Sequence, residues 1–304
     1  MKQVIVTGAN GFVGYWLLKE LNRLDIEVIA IVKDQTSNVT HISQFKNVSI
    51  VYCDLANLNS LPDLISHRGF DSFYHLAWVA AGGPGRADYN IQLKNVEYCC
   101  DAINVAKKLK CKSILFAGTI SEKLISDSVE KRAVAANEIY AICKKFARII
   151  TATQGKLNGL RTIWMEFANI YGPYSINGNI VGYTIKELLN NNEALFGPAD
   201  QIYDLLYIED LIQGILLLGT SNEAEGTFYI GSGKPNILKN YLLEIGRLCG
   251  KTNLIKIGVR PDDGTRYDED WFNIDKIKSF VDYQPKFSFE SGIKKTIEWY
   301  NNHL

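Results

Sequence analysis

The 304-residue chain has no net charge, because 33 lysines and arginines balance 33 aspartates and glutamates. That balance leaves no electrostatic footprint for nucleic acid, and no run of like charge offers a patch to an anionic membrane. No stretch reaches the ~18 consecutive apolar residues of a membrane-spanning helix. There are only four histidines; His41, His67 and His303 are scattered, and none pairs with cysteine at zinc spacing. The six cysteines (Cys53, Cys99, Cys100, Cys111, Cys143, Cys249) contain no C-x-x-C pair. Free thiols in a reducing cytosol and no bound metal are therefore expected. Residues 4–6 already read as a strand, so no secretory leader is expected and the expected location is the cytoplasm. Hydrophobic content of 47% and charged content of 22% are ordinary for a globular protein.

What is present begins at the first residues. Val4, Ile5 and Val6 form a short β-branched run suited to a fully buried strand. Thr7-Gly8-Ala9-Asn10-Gly11-Phe12-Val13-Gly14 follows, with glycines at spacing G-x-x-G-x-x-G, and Trp16, Leu17, Leu18 and Leu21 then recur at helical spacing. Strand, glycine turn and helix in that order are the context of a dinucleotide fingerprint. Gly8 permits the tight turn, Gly11 lets backbone N–H groups approach a pyrophosphate, and Gly14 lets the helix pack close. The helix N-terminus turns unpaired N–H groups and a positive dipole end towards the phosphates.

Strand and helix patterns then alternate. Strands are expected at 28–32, 49–52, 72–75, 112–117 and 162–166, with helices at 60–67, 88–109 and 133–157 between them. Alternation of this kind implies right-handed βαβ crossovers and a doubly wound parallel (Rossmann) α/β sheet covered on both faces. From about residue 167 turn residues become dense and helices shorten, at 180–190, 208–218, 238–248 and 289–302. The expected division is a dinucleotide-binding domain over 1–166 and a smaller mixed substrate lobe over 167–304, with some segments of the lobe returning to the sheet. No linker or composition break separates the two. Ligands on such sheets bind beyond the carboxyl ends of the strands, so residues just after each strand carry the interest.

Tyr140-Ala-Ile-Cys-Lys144 lies in a helical pattern, so phenol and ammonium share one face. A phenol titrates near 10, and a neighbouring cation lowers that value towards neutrality. Thr119 stands 21 residues upstream, just after the expected strand 112–117, and places a hydroxyl at the mouth of the sheet. Here the sequence resembles the extended short-chain dehydrogenase/reductase family, the group of sugar-nucleotide epimerases, dehydratases and reductases. The resemblance covers nearly the whole chain. It rests on Thr7–Gly14, Cys53-Asp54-Leu55, His75-Leu-Ala77, Phe116-Ala-Gly-Thr-Ile-Ser121, Tyr140–Lys144, Asn169-Ile-Tyr-Gly-Pro173, Tyr207-Ile-Glu-Asp210 and Arg260-Pro261. It implies Tyr140 as acid/base, Lys144 on the nicotinamide ribose and Thr119, with Ser121, on the substrate. It also implies Asp54 and Leu55 at the adenine, Ala77 near the ribose, Asn169 on the sugar nucleotide and Arg260 on its diphosphate, helped by Arg266. Plainer readings stand beside these: Asp54 as a helix cap, His75 and Ala77 as core, Asn169 as a turn former and Arg260 as a rim ion pair. Relatives often pair through the two helices expected at 88–109 and 133–157, so a homodimer is expected.

The cofactor is read from the end of the second strand. A carboxylate there would accept both ribose hydroxyls of NAD and repel a 2′-phosphate. Val32 takes that place, followed by Lys33 and Asp34. Lys33 as a 2′-phosphate contact favours NADP(H); Asp34 keeps NAD(H) open, and a solvated surface lysine is the plain alternative.

Three departures narrow the chemistry. Family dehydratases carry a Thr-Asp-Glu run whose carboxyl groups drive loss of water; here the run is Thr119-Ile120-Ser121, with Glu122 one residue beyond. Tyr203, not arginine, precedes Asp204, and Glu166 stands where relatives have an arginine ahead of N-x-Y-G-P; the resemblance puts the first of these arginines on the substrate diphosphate, so its loss leaves open a substrate with less phosphate. With dehydration set aside and NADP(H) favoured, the resemblance implies reduction of a nucleotide-linked 4-keto-6-deoxyhexose, with a 4-epimerase as the alternative; a non-catalytic dinucleotide-binding regulator is a reading of another class, and it would have no need of Tyr140 and Lys144 together. Two further features carry less. Gly231-Ser-Gly-Lys-Pro235 has a proline where a P-loop needs a magnesium-binding hydroxyl. Trp78 and the loop Gly82-Gly83-Pro84-Gly85 follow the fourth strand and read as lining the sugar pocket or gating it, with a mobile surface loop as the plain alternative.

Overall fold

The apolar runs become the inner strands of one sheet. In the computed structural model, which describes residues 1–125, 138–175 and 178–303, these are β1 (Gln3–Thr7), β2 (Glu27–Val32), β3 (Val48–Tyr52), β4 (Ser72–His75), β5 (Ser113–Thr119) and β6 (Arg161–Phe167). A seventh strand, Gly226–Ile230, completes the sheet. The order across it is 226–230, β6, β5, β4, β1, β2, β3, and every neighbouring pair is parallel.

The helices are α1 (Phe12–Arg23), α2 (Leu61–Leu64), α3 (Tyr89–Lys108), α4 (Glu138–Asn158), α5 (Ile180–Leu189), α6 (Ile208–Thr220), α7 (Leu238–Leu248), α8 (Asp275–Phe280) and α9 (Phe289–His303). Because side chains alternate along a strand, β1 feeds two cores. Val4 and Val6 join Leu17 and Leu21 of α1 and Leu211 and Ile215 of α6. Ile5 joins Ala102 and Ile103 of α3 and Ala147 of α4 on the opposite face. Each fully buried valine, leucine or isoleucine among them contributes about 1.5–3 kcal/mol, and burial on both faces is what a parallel sheet requires.

Some boundaries differ from the sequence reading for local reasons. The helix expected at 60–67 is only α2, and a 3₁₀ turn over Leu55–Ser60 precedes it, because the Asp54 carboxylate accepts the Ala56 N–H and starts the turn early. β5 runs on to Thr119, so that residue ends the strand and does not follow it; Thr119 pairs with Phe167 of β6. Residues 133–137 of the helix expected at 133–157 lie outside the described residues. The strand 226–230 comes from beyond residue 167 yet pairs with β6, which makes the C-terminal segment part of the sheet. The strand order reverses between β1 and β4, and such a switch point opens a crevice at the carboxyl ends.

Candidate active site

The crevice is a cleft of about 1390 Å³ between the strand ends and the C-terminal segment. Phe12 and Val13, which open α1 directly after the glycine turn, line it. Gly8 has φ +68°, a left-handed conformation that L side chains rarely adopt, and a Cβ there would stand 2.9 Å from the Ala77 nitrogen. A Cβ at Gly14 would overlap the Gly8 carbonyl, so only glycine allows α1 to sit this close to the turn. Gly11 caps α1 without any side-chain hydrogen bond, which leaves the first-turn N–H groups of Phe12 and Val13, two cleft-lining residues, for a ligand. Asn10 is tied to the segment behind it, donating through Nδ2 to the Asn38 carbonyl at 3.3 Å. His75 is fully enclosed, with Nδ1 3.0 Å from the Thr7 hydroxyl, and burial pushes its pKa down to about 3. It is a neutral core residue, flanked edge-on by Phe73 and Phe116.

Lys33, Asp54 and Leu55 lie farther out, past the ends of β2 and β3 and beyond the residues that line the cleft. Lys33 Nζ stands 3.9 Å from the Asp54 carboxylate, and Asp54 also caps the turn after β3. Asp34 accepts from the Thr36 N–H at 3.0 Å and from the Thr36 and Ser37 hydroxyls at 2.6 and 3.2 Å, so it closes its own loop.

Tyr140, Lys144, Thr119 and Ser121 all line the cleft. Lys144 Nζ donates to the Ala117 carbonyl at 2.6 Å and lies 3.7 Å over the Trp78 ring, 5.8 Å from the Tyr140 ring. Burial lowers its pKa to about 8. Tyr140 is not depressed as the sequence suggested. Burial raises its pKa, and the chief influence in the opposite direction is Arg86, not Lys144; Glu122 adds to the rise. The reason is geometric. The ammonium is committed to Ala117 and Trp78, whereas the Arg86 guanidinium lies 4.2 Å over the Tyr140 ring.

On the substrate side Asn169 lines the cleft, and its Nδ2 is buried with no hydrogen-bond partner among the described residues. Arg260 does not line the main cleft itself. It lines an adjoining cavity of about 320 Å³ and donates to the Tyr183 hydroxyl at 3.1 Å, while Arg266 lines the main cleft and is paired with Asp262 at 2.6 Å. The two cavities share Ile180, Tyr203 and Asp263.

Residues 4–231 match the family model described as the NAD dependent epimerase/dehydratase family. The chain belongs to that family. It is thus an enzyme of the extended short-chain dehydrogenase/reductase group. It is 23% identical to a dTDP-glucose 4,6-dehydratase of Shigella flexneri over 98% of this chain and 92% of the relative. It is 25% identical to a UDP-glucuronate 4-epimerase of Thermodesulfobacterium geofontis over 100% and 98%. Its fold superposes on the UDP-glucose 4-epimerase of Thermus thermophilus, solved in complex with NAD, with a TM-score of 0.83 at 18% identity, covering 99% of this chain and all of that one (100%).

Glu122 does not line the cleft. It is 1% exposed, accepts from Trp164 Nε1 at 2.8 Å and from Arg148 Nε at 3.0 Å, and forms a reciprocal capping box with Thr119. Gly118 makes the room, since a Cβ there would overlap the Trp164 indole nitrogen. Glu166 is also buried, 3.6 Å from Lys123 Nζ. The Gly231–Gly233 turn that looks like a phosphate loop holds an internal anion instead, with the Ser232 N–H and the Tyr229 hydroxyl donating to Asp204 at 2.9 and 2.7 Å. Sequence reasoning missed Arg86. Its signal was there: a cation directly after a glycine-rich loop at the carboxyl end of β4.

Proposed function

We propose that this enzyme reduces a nucleotide-linked 4-keto-6-deoxyhexose with NADP(H). The observation that carries the reading is the convergence of Tyr140, Lys144 and Thr119 on one cleft, with Ile120 and Ser121 in place of an acid pair and Glu122 buried behind it. The glycine cradle fits a dinucleotide, because Gly8 and Gly14 sit where a Cβ would collide and the α1 N-terminus is free of a side-chain cap. Gly8, Asn10, Gly11, Phe12, Val13 and Gly14 would hold the pyrophosphate, Asp54 and Leu55 the adenine, Ala77 the ribose and Lys33 a 2′-phosphate. Bound there, a nicotinamide supplies the hydride. Tyr140 gives its phenolic proton to the substrate oxygen, Thr119 and Ser121 hold that oxygen, and Lys144 meets the ribose. Asn169 offers its unpartnered amide to the sugar nucleotide, and Arg260 and Arg266 offer guanidinium groups to the diphosphate. Val32, Lys33 and the self-occupied Asp34 carboxylate support NADP(H) over NAD(H).

A 4-epimerase on the same frame is the second reading, favoured by the relative and the solved structure of that activity. Incubation with a panel of nucleotide-linked 4-keto-6-deoxyhexoses decides between the two. Stoichiometric consumption of NADPH supports the reductase, whereas tightly copurifying NAD with no net oxidation overturns it in favour of the epimerase. We also propose a homodimer. Ile142, Phe146 and Ile149 form an exposed apolar stripe on α4, and Tyr89 and Leu93 are exposed on α3, which packs beside it.

A further inference from the structure

The loop between β4 and α3 is a built element. Two buried amides of α3 tie it down. Gln92, 0% exposed, accepts from the Trp78 indole at 2.8 Å and donates to the Gly85 carbonyl at 2.9 Å. Asn95, 1% exposed, accepts from the Val79 N–H at 2.7 Å and donates back to the Val79 carbonyl at 3.0 Å. Gly83 turns with φ +70° and opens a short 3₁₀ segment, Pro84–Ala87. The product of this architecture is the placement of one side chain. Arg86 Nε donates to the Ala81 carbonyl at 2.7 Å, and the rest of the guanidinium lies over Tyr140. Arg86 has no carboxylate partner among the described residues. Its charge favours ionisation of three phenols, Tyr140, Tyr203 and Tyr267, and Tyr140 is the one whose ring it covers, at 4.2 Å.

We propose that Arg86 acts through Tyr140: it is the second cation of the proton-transfer site and stabilises the phenolate that forms when the Tyr140 proton moves to the substrate oxygen. The step is balanced within the site. The phenolic O–H bond breaks, its pair stays on the phenol oxygen, the proton bonds to the substrate oxygen, and the charge left behind faces Arg86. In the reverse direction the same phenolate takes the proton back.

The other charged groups around the phenol make this assignment selective. Lys144, on the same helix, is bonded to Ala117 and held over Trp78. Glu122, from the turn after β5, opposes ionisation, and burial opposes it more strongly still. Glu138, Asp263 and Arg266 line the same cleft, but Arg266 is paired with Asp262. Arg86 is therefore the cation best placed to offset burial. Arginine suits the task because its charge persists at any working pH, while the buried Lys144 begins to lose its own near 8.

The inference rests on Tyr140 being the proton donor of the proposed reaction, so its test separates the two. A fluorinated tyrosine incorporated at position 140 gives a single fluorine resonance and a phenol acidic enough to titrate near neutral pH. Its midpoint is measured by NMR with no substrate present, in otherwise unaltered protein and in the Arg86→Gln and Arg86→Lys variants. Arg86→Gln is expected to raise the midpoint by about 1 pH unit or more, the effect of removing a cation at this range. Arg86→Lys is expected to restore most of the difference, which a purely structural role of Arg86 does not predict. An unchanged midpoint in Arg86→Gln, or an equal rise in both variants, overturns the proposal. A kinetic arm with NADPH and the panel of 4-keto sugar nucleotides should show kcat falling more than KM changes in Arg86→Gln. If no member of the panel is turned over, the reading of function fails while the fluorine result still judges Arg86.

Discussion

The Thr119 backbone N–H donates to Glu122 Oε1 at 3.0 Å, which fixes the last residue of β5 to a buried carboxylate three residues on. The same carboxylate receives Arg148 of α4, two helical turns beyond Tyr140. One carboxyl group thus joins the strand that carries the Thr119 hydroxyl to the helix that carries the Tyr140 phenol. The Glu122 carboxyl is thus engaged in holding strand and helix together.

Glu122→Ala should destabilise the fold by about 3 kcal/mol or more, because it strands the Thr119 N–H, the Trp164 indole and Arg148 at once, at roughly 1–3 kcal/mol per buried donor. Urea unfolding measures it, and a loss below about 1 kcal/mol would contradict the network. Burial, with Glu166 adding, raises the Glu122 pKa to about 7. A carboxyl whose folded pKa lies above its unfolded value stabilises fully below about 4.5 and loses that contribution as pH rises through 7. Native protein should therefore lose stability relative to Glu122→Gln across that interval.

Tyr140→Phe removes only the phenolic oxygen from a side chain that is 6% exposed. Turnover should fall by at least about 100-fold, the scale of a lost general acid, while cofactor affinity measured by fluorescence titration stays close to that of the native enzyme. Near-native turnover would remove Tyr140 from the reaction.

Much of this site was legible in the sequence because it depends on local spacing. The glycine turn follows from residues 7–14 alone, and Tyr140 and Lys144 share a face by helical period. Strand ends were one or two residues off where a cap decided them, as at Thr119. Long-range placement was not legible. Nothing in the order of residues told that Lys144 would be spent on Ala117 and Trp78, that Arg86 would reach Tyr140 across 54 positions, or that Arg260 would open on the neighbouring cavity. The strand 226–230 was hidden for a similar reason, since its partner β6 lies some sixty residues upstream.

Lys33 offers the direct test of cofactor choice. Its side chain is 70% exposed and stands 3.9 Å from Asp54, a weak surface pair that leaves it free to meet a phosphate. Lys33→Glu should weaken NADPH binding by about tenfold or more, as one charge-assisted contact of ~1.5 kcal/mol is replaced by repulsion, and should leave NADH binding nearly unchanged. Equal effects on both cofactors in calorimetric titration would remove the 2′-phosphate role.

The stripe on α4 predicts assembly. Phe146 is 48% exposed between Ile142 and Ile149, and an apolar stripe of this kind on a surface helix marks a contact site. Phe146→Asp should convert a dimer to a monomer in light scattering with little change in melting of the monomer fold. A native enzyme that is already monomeric at micromolar concentration would discard the homodimer.

His75 makes the fold sensitive to acid. Its imidazole is 2% exposed and shares its Nδ1 with Thr7. Burial, with the nearby Lys144 charge, holds its pKa near 3, against 6.5 for the free side chain. Between those values the unfolded chain binds a proton that the folded chain refuses, so stability rises with pH across the interval. The contribution is complete above pH 6.5 and drains away as pH falls towards 3. One such proton is worth ~1.4 kcal/mol per pH unit, so native protein should lose about 2 kcal/mol between pH 7 and 5 from this residue alone. His75→Gln keeps a hydrogen-bonding side chain against Thr7 but cannot titrate. Its stability, followed by urea unfolding, should fall less over the same two units. Parallel losses in the two proteins would mean that the buried imidazole accepts its proton in the folded state.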